Sequence, residues 1–219
     1  MSMQHKKILL VEGAEDKRVI PELIEANGVH WGSSKKDYIV FIKSCDGISN
    51  MLDKSLIHTE LKASGLEVLG IIVDADEYPE NRWESVRNCL IDKFPELPEL
   101  LPETGLIHKA EDGMKIGVWM MPDNKERGMR ETFLQFLLPN TAENQKIWTL
   151  SEKVCNQATD NGAPFKNDHI DKAKIHTWLA WQNPPGRQLH NAIMERILLP
   201  GSPLAAPFIE WFTKLYEIV

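Results

Sequence analysis

Apolar residues follow two rhythms along this chain. Up to residue 140, short continuous apolar runs alternate with segments whose apolar positions recur every three or four residues. The runs suit strands buried on both faces of a parallel sheet, and the spaced segments suit helices burying one stripe. Lys6–Val11 is the first predicted strand. Residues 14–27 form the first predicted helix, with Val19, Ile20, Leu23 and Ile24 on its stripe, a kink at Pro21 and an end at Gly28. A second strand is predicted over 37–43, a helix over 49–63, a third strand over 67–73, and a helix over 81–94 that starts at Glu80 or Asn81 and stops at Pro95. Three alternations of strand and helix predict an α/β fold with a parallel sheet flanked by helices.

After Pro95, Pro98 and Pro102, two apolar runs at 105–109 and 115–121 flank Asp112-Gly113, a hairpin turn signal. Gly128 opens a further helix, MRETFLQFLL, closed by Pro139. From Thr141 only helical spacing remains, over 144–158, 168–182, 187–199 and 204–218, and Trp148, Trp178, Trp181 and Trp211 lie here. The expected organisation is an α/β domain over residues 1–140 and a helical C-terminal extension over 141–219, packed on it.

The third strand carries the chemistry. Gly70-Ile71-Ile72-Val73 runs into Asp74-Ala75-Asp76, so two acids fall at the strand's carboxyl end, where open α/β sheets bind ligands. In an extended chain residues i and i+2 point the same way, so both carboxylates can face one spot. Glu12 ends the first strand and Asp16 follows in the first turn of the next helix. A right-handed crossover brings the two strand ends together, and four carboxylates then line one rim. Such a rim must hold a proton or a cation. Carboxylates are hard ligands that suit Mg2+ or Mn2+, and phosphate chemistry is the common use of such a site.

Charge narrows the partners. The net charge is −7, and residues 141–219 hold eight acids and eight Lys/Arg, so the whole excess lies in residues 1–140. This is not the balance of a basic nucleic-acid-binding protein. No apolar run approaches the ~18 residues that span a bilayer, and MSMQHKKILLVEG does not read as a signal peptide. Cys45, Cys89 and Cys155 form no C-x-x-C and read as reduced thiols, so a cytoplasmic protein without a membrane partner is expected.

V-E-G-x-x-D at 11–16, followed by apolar-D-x-D at 71–76, resembles the Toprim domain of topoisomerases, bacterial primases and OLD (overcoming-lysogenization-defect) nucleases. The resemblance covers roughly residues 6–138 and is nearest to small stand-alone bacterial Toprim-like proteins of undefined function and to OLD-type nucleases. The OLD phrase G-x-L-E-x-x-L is similar to Gly128-Met129-Arg130-Glu131-Thr132-Phe133-Leu134. The resemblance implies Glu12, Asp74 and Asp76 as metal ligands, with Glu12 also able to move protons. It implies Asp16 as a supporting acid, Glu131 as a fifth acid, and a late lysine at Lys172 or Lys174, the latter taken as the catalytic candidate. Glu77-Tyr78-Pro79-Glu80 stands where many Toprim proteins have a glycine, which argues against a primase or topoisomerase. No G-x-x-x-x-G-K-S/T is present, so the ATPase of OLD proteins would have to be a separate partner protein.

The implied function is a Mg2+- or Mn2+-dependent nuclease acting on DNA or RNA, with a role in phage defence. Two other readings stand beside it. One is a non-catalytic Toprim-like module that binds metal or phosphate and recognises a protein partner. The other is a small-molecule phosphohydrolase. Asp123 and Asn124 read as loop-capping residues, the histidines as lacking metal spacing, and Trp178 and Trp181 as core.

Overall fold

The computed structural model describes residues 5–34 and 36–218; the reading of the first four residues as non-signal sequence lies outside them. Its centre is a five-stranded sheet of β1 (Lys7–Val11), β2 (Phe41–Ser44), β3 (Val68–Asp74), β4 (Leu106–Lys109) and β5 (Lys115–Met121), in the order β2-β1-β3-β5-β4. β2, β1, β3 and β5 are parallel, and β4 returns antiparallel to β5 through the Asp112-Gly113 turn. Nine α-helices flank the sheet among the described residues. The architecture is the expected α/β, Toprim-like one.

Both faces of the sheet are covered, which is why its central strands are continuously apolar. Leu9, Val11, Val68, Ile72, Trp119 and Met121 face one cluster; Ile8, Leu10, Leu69, Ile71, Val73, Ile116, Val118 and Met120 face the other. The first layer contains α1 (Asp16–Ala26), α5 (Arg130–Gln135), α7 (Ile170–Ala180), α8 (Leu189–Met194) and α9 (Ala206–Tyr216). The second contains α2 (Ile48–Met51), α3 (Lys54–Leu61) and α4 (Pro79–Leu90). α6 (Ala142–Asp160) packs on α7.

Several boundaries differ from the expectations. The helix predicted over 49–63 is broken into α2 and α3, because Asp53 leaves the helix and its carboxylate caps Ser55 N–H at 2.7 Å. The second strand is shorter than 37–43, beginning only at Phe41. α4 starts at Pro79, whose fixed φ and missing N–H suit the first helical position, and it ends at Leu90, well before Pro95. The helix expected over 187–199 is only α8. α1 runs unbroken through Pro21. Trp178 is core, as expected, but Trp181 is 43% exposed.

The helices after residue 140 are locked into the sheet. The Tyr216 hydroxyl donates to the Ile8 carbonyl at 2.9 Å, and Trp211 Nε1 donates to the Leu106 carbonyl at 2.9 Å. A Cβ at Gly70 would collide with the Tyr216 hydroxyl, and one at Gly117 with the Leu215 side chain. These two strand glycines thus let α9 lie directly on β3 and β5. Gly70→Val is expected to destabilise the protein by about 1–3 kcal/mol through overpacking against Tyr216. Gly201→Ala, at a position with open space, is expected to be near neutral. Urea unfolding of both variants checks this.

Candidate functional site

The strand register sets the site. Val11 pairs with Ile72 and Asp74 with Met121, so β1, β3 and β5 end together at one edge of the sheet. Glu12, one residue beyond β1, turns its carboxylate across this edge, and its Oε1 accepts the Asp74 N–H at 2.7 Å. Asp74 Oδ1 in turn accepts the Arg130 N–H at 2.8 Å, which ties the end of β3 to the first turn of α5. Glu12 and Asp74 are therefore neighbours, as the sequence predicts.

Asp76 is positioned differently from the expectation. β3 stops at Asp74, and Asp76 has a left-handed φ of 54° rather than continuing the extended chain. It is held by two reciprocal backbone hydrogen bonds with Gly128, each 2.8 Å. Its carboxylate, 46% exposed, pairs with the Arg82 guanidinium on α4.

The largest departure is Arg130. This buried arginine donates Nη1 to Asp16 Oδ1 at 2.7 Å, and Nη2 to Glu15 Oε2 at 2.8 Å and to Glu131 Oε1 at 2.7 Å. Asp16 Oδ2 also accepts the Gly13 N–H at 3.0 Å, closing the turn after β1. Asp16 and Glu131 thus stand at the expected edge, but as partners of a guanidinium. Lys172, half-exposed on α7, lies 3.8 Å from Glu131. Lys174 points to Asp171 at 3.2 Å, and Asp171 accepts the Thr132 hydroxyl at 2.7 Å. Of the two late lysines, Lys172 approaches Glu131, while Lys174 pairs within α7 with the Asp171 that joins α7 to α5.

Sequence reasoning did not single out Arg130, Glu15 or Arg82. One signal was available: a cation in the first turn of a helix opposes the helix dipole, so Arg130 needed an acidic surrounding. Asp123 and Asn124 do cap a loop, as expected. Asp123 Oδ1 accepts the Lys125 and Glu126 N–H groups, and buried Asn124 Oδ1 accepts the Met120 N–H at 2.7 Å. His169 and His176 are exposed, and all three cysteines are buried free thiols.

The electrostatics follow from this crowding. Burial pushes the Glu12 proton affinity up; Asp76 and Asp16 add to the rise, while the Asp74 N–H and Arg82 oppose it. Burial pushes Asp74 well above the ordinary carboxylate range, reinforced by Glu12, Asp16 and Glu131 and opposed by Arg130. Burial works against the Arg130 charge, but Asp16 and Glu131 hold its proton more firmly than in water. Among the described residues, no group of three or more His, Cys, Asp or Glu side chains is placed to hold a metal ion. Glu12 Oε2, Asp74 Oδ2 and Asp76 Oδ1 nevertheless accept no hydrogen bond among the described residues. Carboxylate oxygens are hard donors of the kind Mg2+ and Mn2+ take, but the Asp76 carboxylate is paired with Arg82 and is not gathered with the other two.

A family described as Protein of unknown function (DUF3226) matches residues 6–217. The chain belongs to that family. The match crosses residue 140, as the packing of α9 on β3 does. No curated protein and no solved structure matched the sequence. Among the described residues, no helix is long and apolar enough to cross a membrane.

The raised carboxyls give a pH prediction for the metal-free protein. A raised folded-state pKa adds stability below the unfolded value, near 4, and loses it as pH rises through the folded value. Asp74→Asn removes that charge while keeping an oxygen for the Arg130 N–H. It is expected to raise Tm at about pH 8 in EDTA, with the difference from wild type vanishing below about pH 4. Thermal melts across that range check the sign.

Proposed function

We propose that the chain is a divalent-cation-dependent phosphodiester hydrolase acting on nucleic acid. The observation that carries this reading is the pairing of Glu12 with Asp74 at the carboxyl edge of the sheet, each with an oxygen left open, and with Asp76 two residues further on. Its resemblance to OLD-type Toprim nucleases points the same way. Exposed cations flank the acids along the chain and would grip backbone phosphates: Lys17 and Arg18 after Asp16, Arg127 before Gly128, and Lys172.

In this reading Glu12, Asp74 and Asp76 hold Mg2+ or Mn2+. When bound, the ion supplies Lewis-acid polarisation of the phosphate and a template for the attacking water. The Arg130 N–H fixes the Asp74 carboxylate, and the bridge to Gly128 fixes the Asp76 backbone while its side chain would turn from Arg82. Glu12, at the same edge, would take the proton of the attacking water. Arg82, freed from Asp76, faces the phosphate as a counter-charge, and Lys172 approaches from α7. The resemblance further suggests a separate ATPase partner and a cytoplasmic role in phage defence.

A second reading is a non-catalytic metal- or phosphate-binding module that recognises a protein partner. It is favoured by the ion pairing of Arg82 and Arg130 with the site's own acids, which leaves neither guanidinium free for substrate. Cleavage of supercoiled plasmid and of mixed tRNA with Mn2+ or Mg2+ separates the two. Metal-dependent cleavage that falls by about 10²–10⁴ in Asp76→Asn is expected. Intact substrates with wild type under all conditions would favour the module.

A further inference from the structure

Leu100 is the most exposed large apolar side chain among the described residues, at 74%. It stands on the connector between α4 and β4, and the connector is firmly held there. Pro98 and Pro102 restrict the chain on either side, and Leu97 is buried. Trp83 Nε1 donates to the Glu99 carbonyl at 3.0 Å, and Arg87 Nε donates to the Leu97 carbonyl at 3.3 Å. Glu96 and Glu99 beside it are exposed and make no ion pair among the described residues, whereas Glu103 takes Lys125. The connector thus presents an aliphatic knob in an acidic setting, and its backbone is already ordered for contact.

A groove of about 370 Å³ has the opposite character. Leu138, Leu199, Pro200 and Pro203 give it apolar walls, and Arg196 is the one charged residue that lines it. Arg196 is exposed and makes no ion pair among the described residues, its neighbour Glu195 being taken by Arg187. Leu204, next to Pro203 in the chain, is 65% exposed. Knob and groove lie on opposite layers of the sheet. Leu97 and Leu101 of the connector pack in the cluster of α4, while Leu138 packs in the other cluster and the Pro200 carbonyl accepts Asn27 Nδ2 at 3.1 Å. The Leu100 of a chain therefore cannot reach the groove of that same chain.

We infer that Leu100 of one copy of this chain docks in the Arg196 groove of a second copy, with Glu96 and Glu99 facing the guanidinium. The two surfaces match in shape and in charge: an aliphatic side chain meets apolar walls, and unpaired carboxylates meet an unpaired cation. Every chain carries both halves. Because the contact joins two different surfaces, it is head-to-tail, and each assembly keeps a free knob at one end and a free groove at the other. The contact is small, so association is weak and follows concentration. This inference is independent of the metal-dependent reading of the sheet edge.

Analytical ultracentrifugation of the full chain tests this. The mean mass is expected to rise from that of one chain near about 10 µM to that of two or more toward ~1 mM, the range of small transient interfaces. Leu100→Asp and Arg196→Glu are each expected to stay at the mass of one chain, with association at least about tenfold weaker. Both side chains are exposed, so both variants are expected to melt with wild type. Mixed in equal amounts, the two variants are expected to form a dimer and grow no further. Leu100→Asp keeps its groove and Arg196→Glu keeps its knob, while the altered knob and the altered groove repel each other. Wild type at the mass of one chain throughout, variants that associate as wild type does, or a mixture that stays at one chain would each overturn the inference. If one variant fails to fold, the wild-type masses and the other variant still decide.

Discussion

Glu12, Glu15, Asp16, Asp74, Asp76 and Glu131 are brought to one edge of one sheet, and their mutual repulsion is the constraint to which the surrounding structure answers. At the spacing of such neighbours, like charges interact by several kcal/mol where the effective dielectric is about 20. Arg130 offsets one half of this cluster from inside and Arg82 contacts the outer end of the other. What remains unbalanced sits on Glu12 and Asp74, whose carboxyls hold their protons more tightly than in water. A cation at this edge would take the place of those protons, which is the physical reason for reading it as a cation site.

The C-terminal helices serve the same edge. α9 lies on β3 and β5 through Gly70 and Gly117, fixing the strands from which the acids project. α7 reaches α5 through the Thr132–Asp171 hydrogen bond and brings Lys172 to Glu131. α5, which carries Arg130 and Glu131, is therefore clamped between the sheet edge and α7. A helical addition that first reads as an appendage thus holds the helix on which the site's internal cation stands.

Much of this was legible in the chain. The apolar runs at 6–11, 67–73 and 115–121 are strands because both sheet faces are covered, and that burial leaves no polar alternation to confuse the pattern. The meeting of Glu12 with Asp74 followed from topology alone. The geometry of Asp76 did not, because it depends on a pairing with Gly128, far along the chain, and a residue's φ is not written in its neighbours. The break at Asp53 was missed because a capping carboxylate inside an apolar rhythm looks like one more polar helix position. Arg130 was hidden for a similar reason: beside Glu131 it resembles an ordinary surface pair, and only the return of Glu15 and Asp16 from α1 buries it.

The central claim is that Glu12, Asp74 and Asp76 form a divalent-cation site. Anomalous diffraction at the manganese edge from crystals grown with Mn2+ tests it most directly. The account predicts an anomalous peak within coordination distance of all three carboxylates, with Asp76 turned away from Arg82. A peak elsewhere on the chain, or none with Mn2+ well above millimolar, would contradict it.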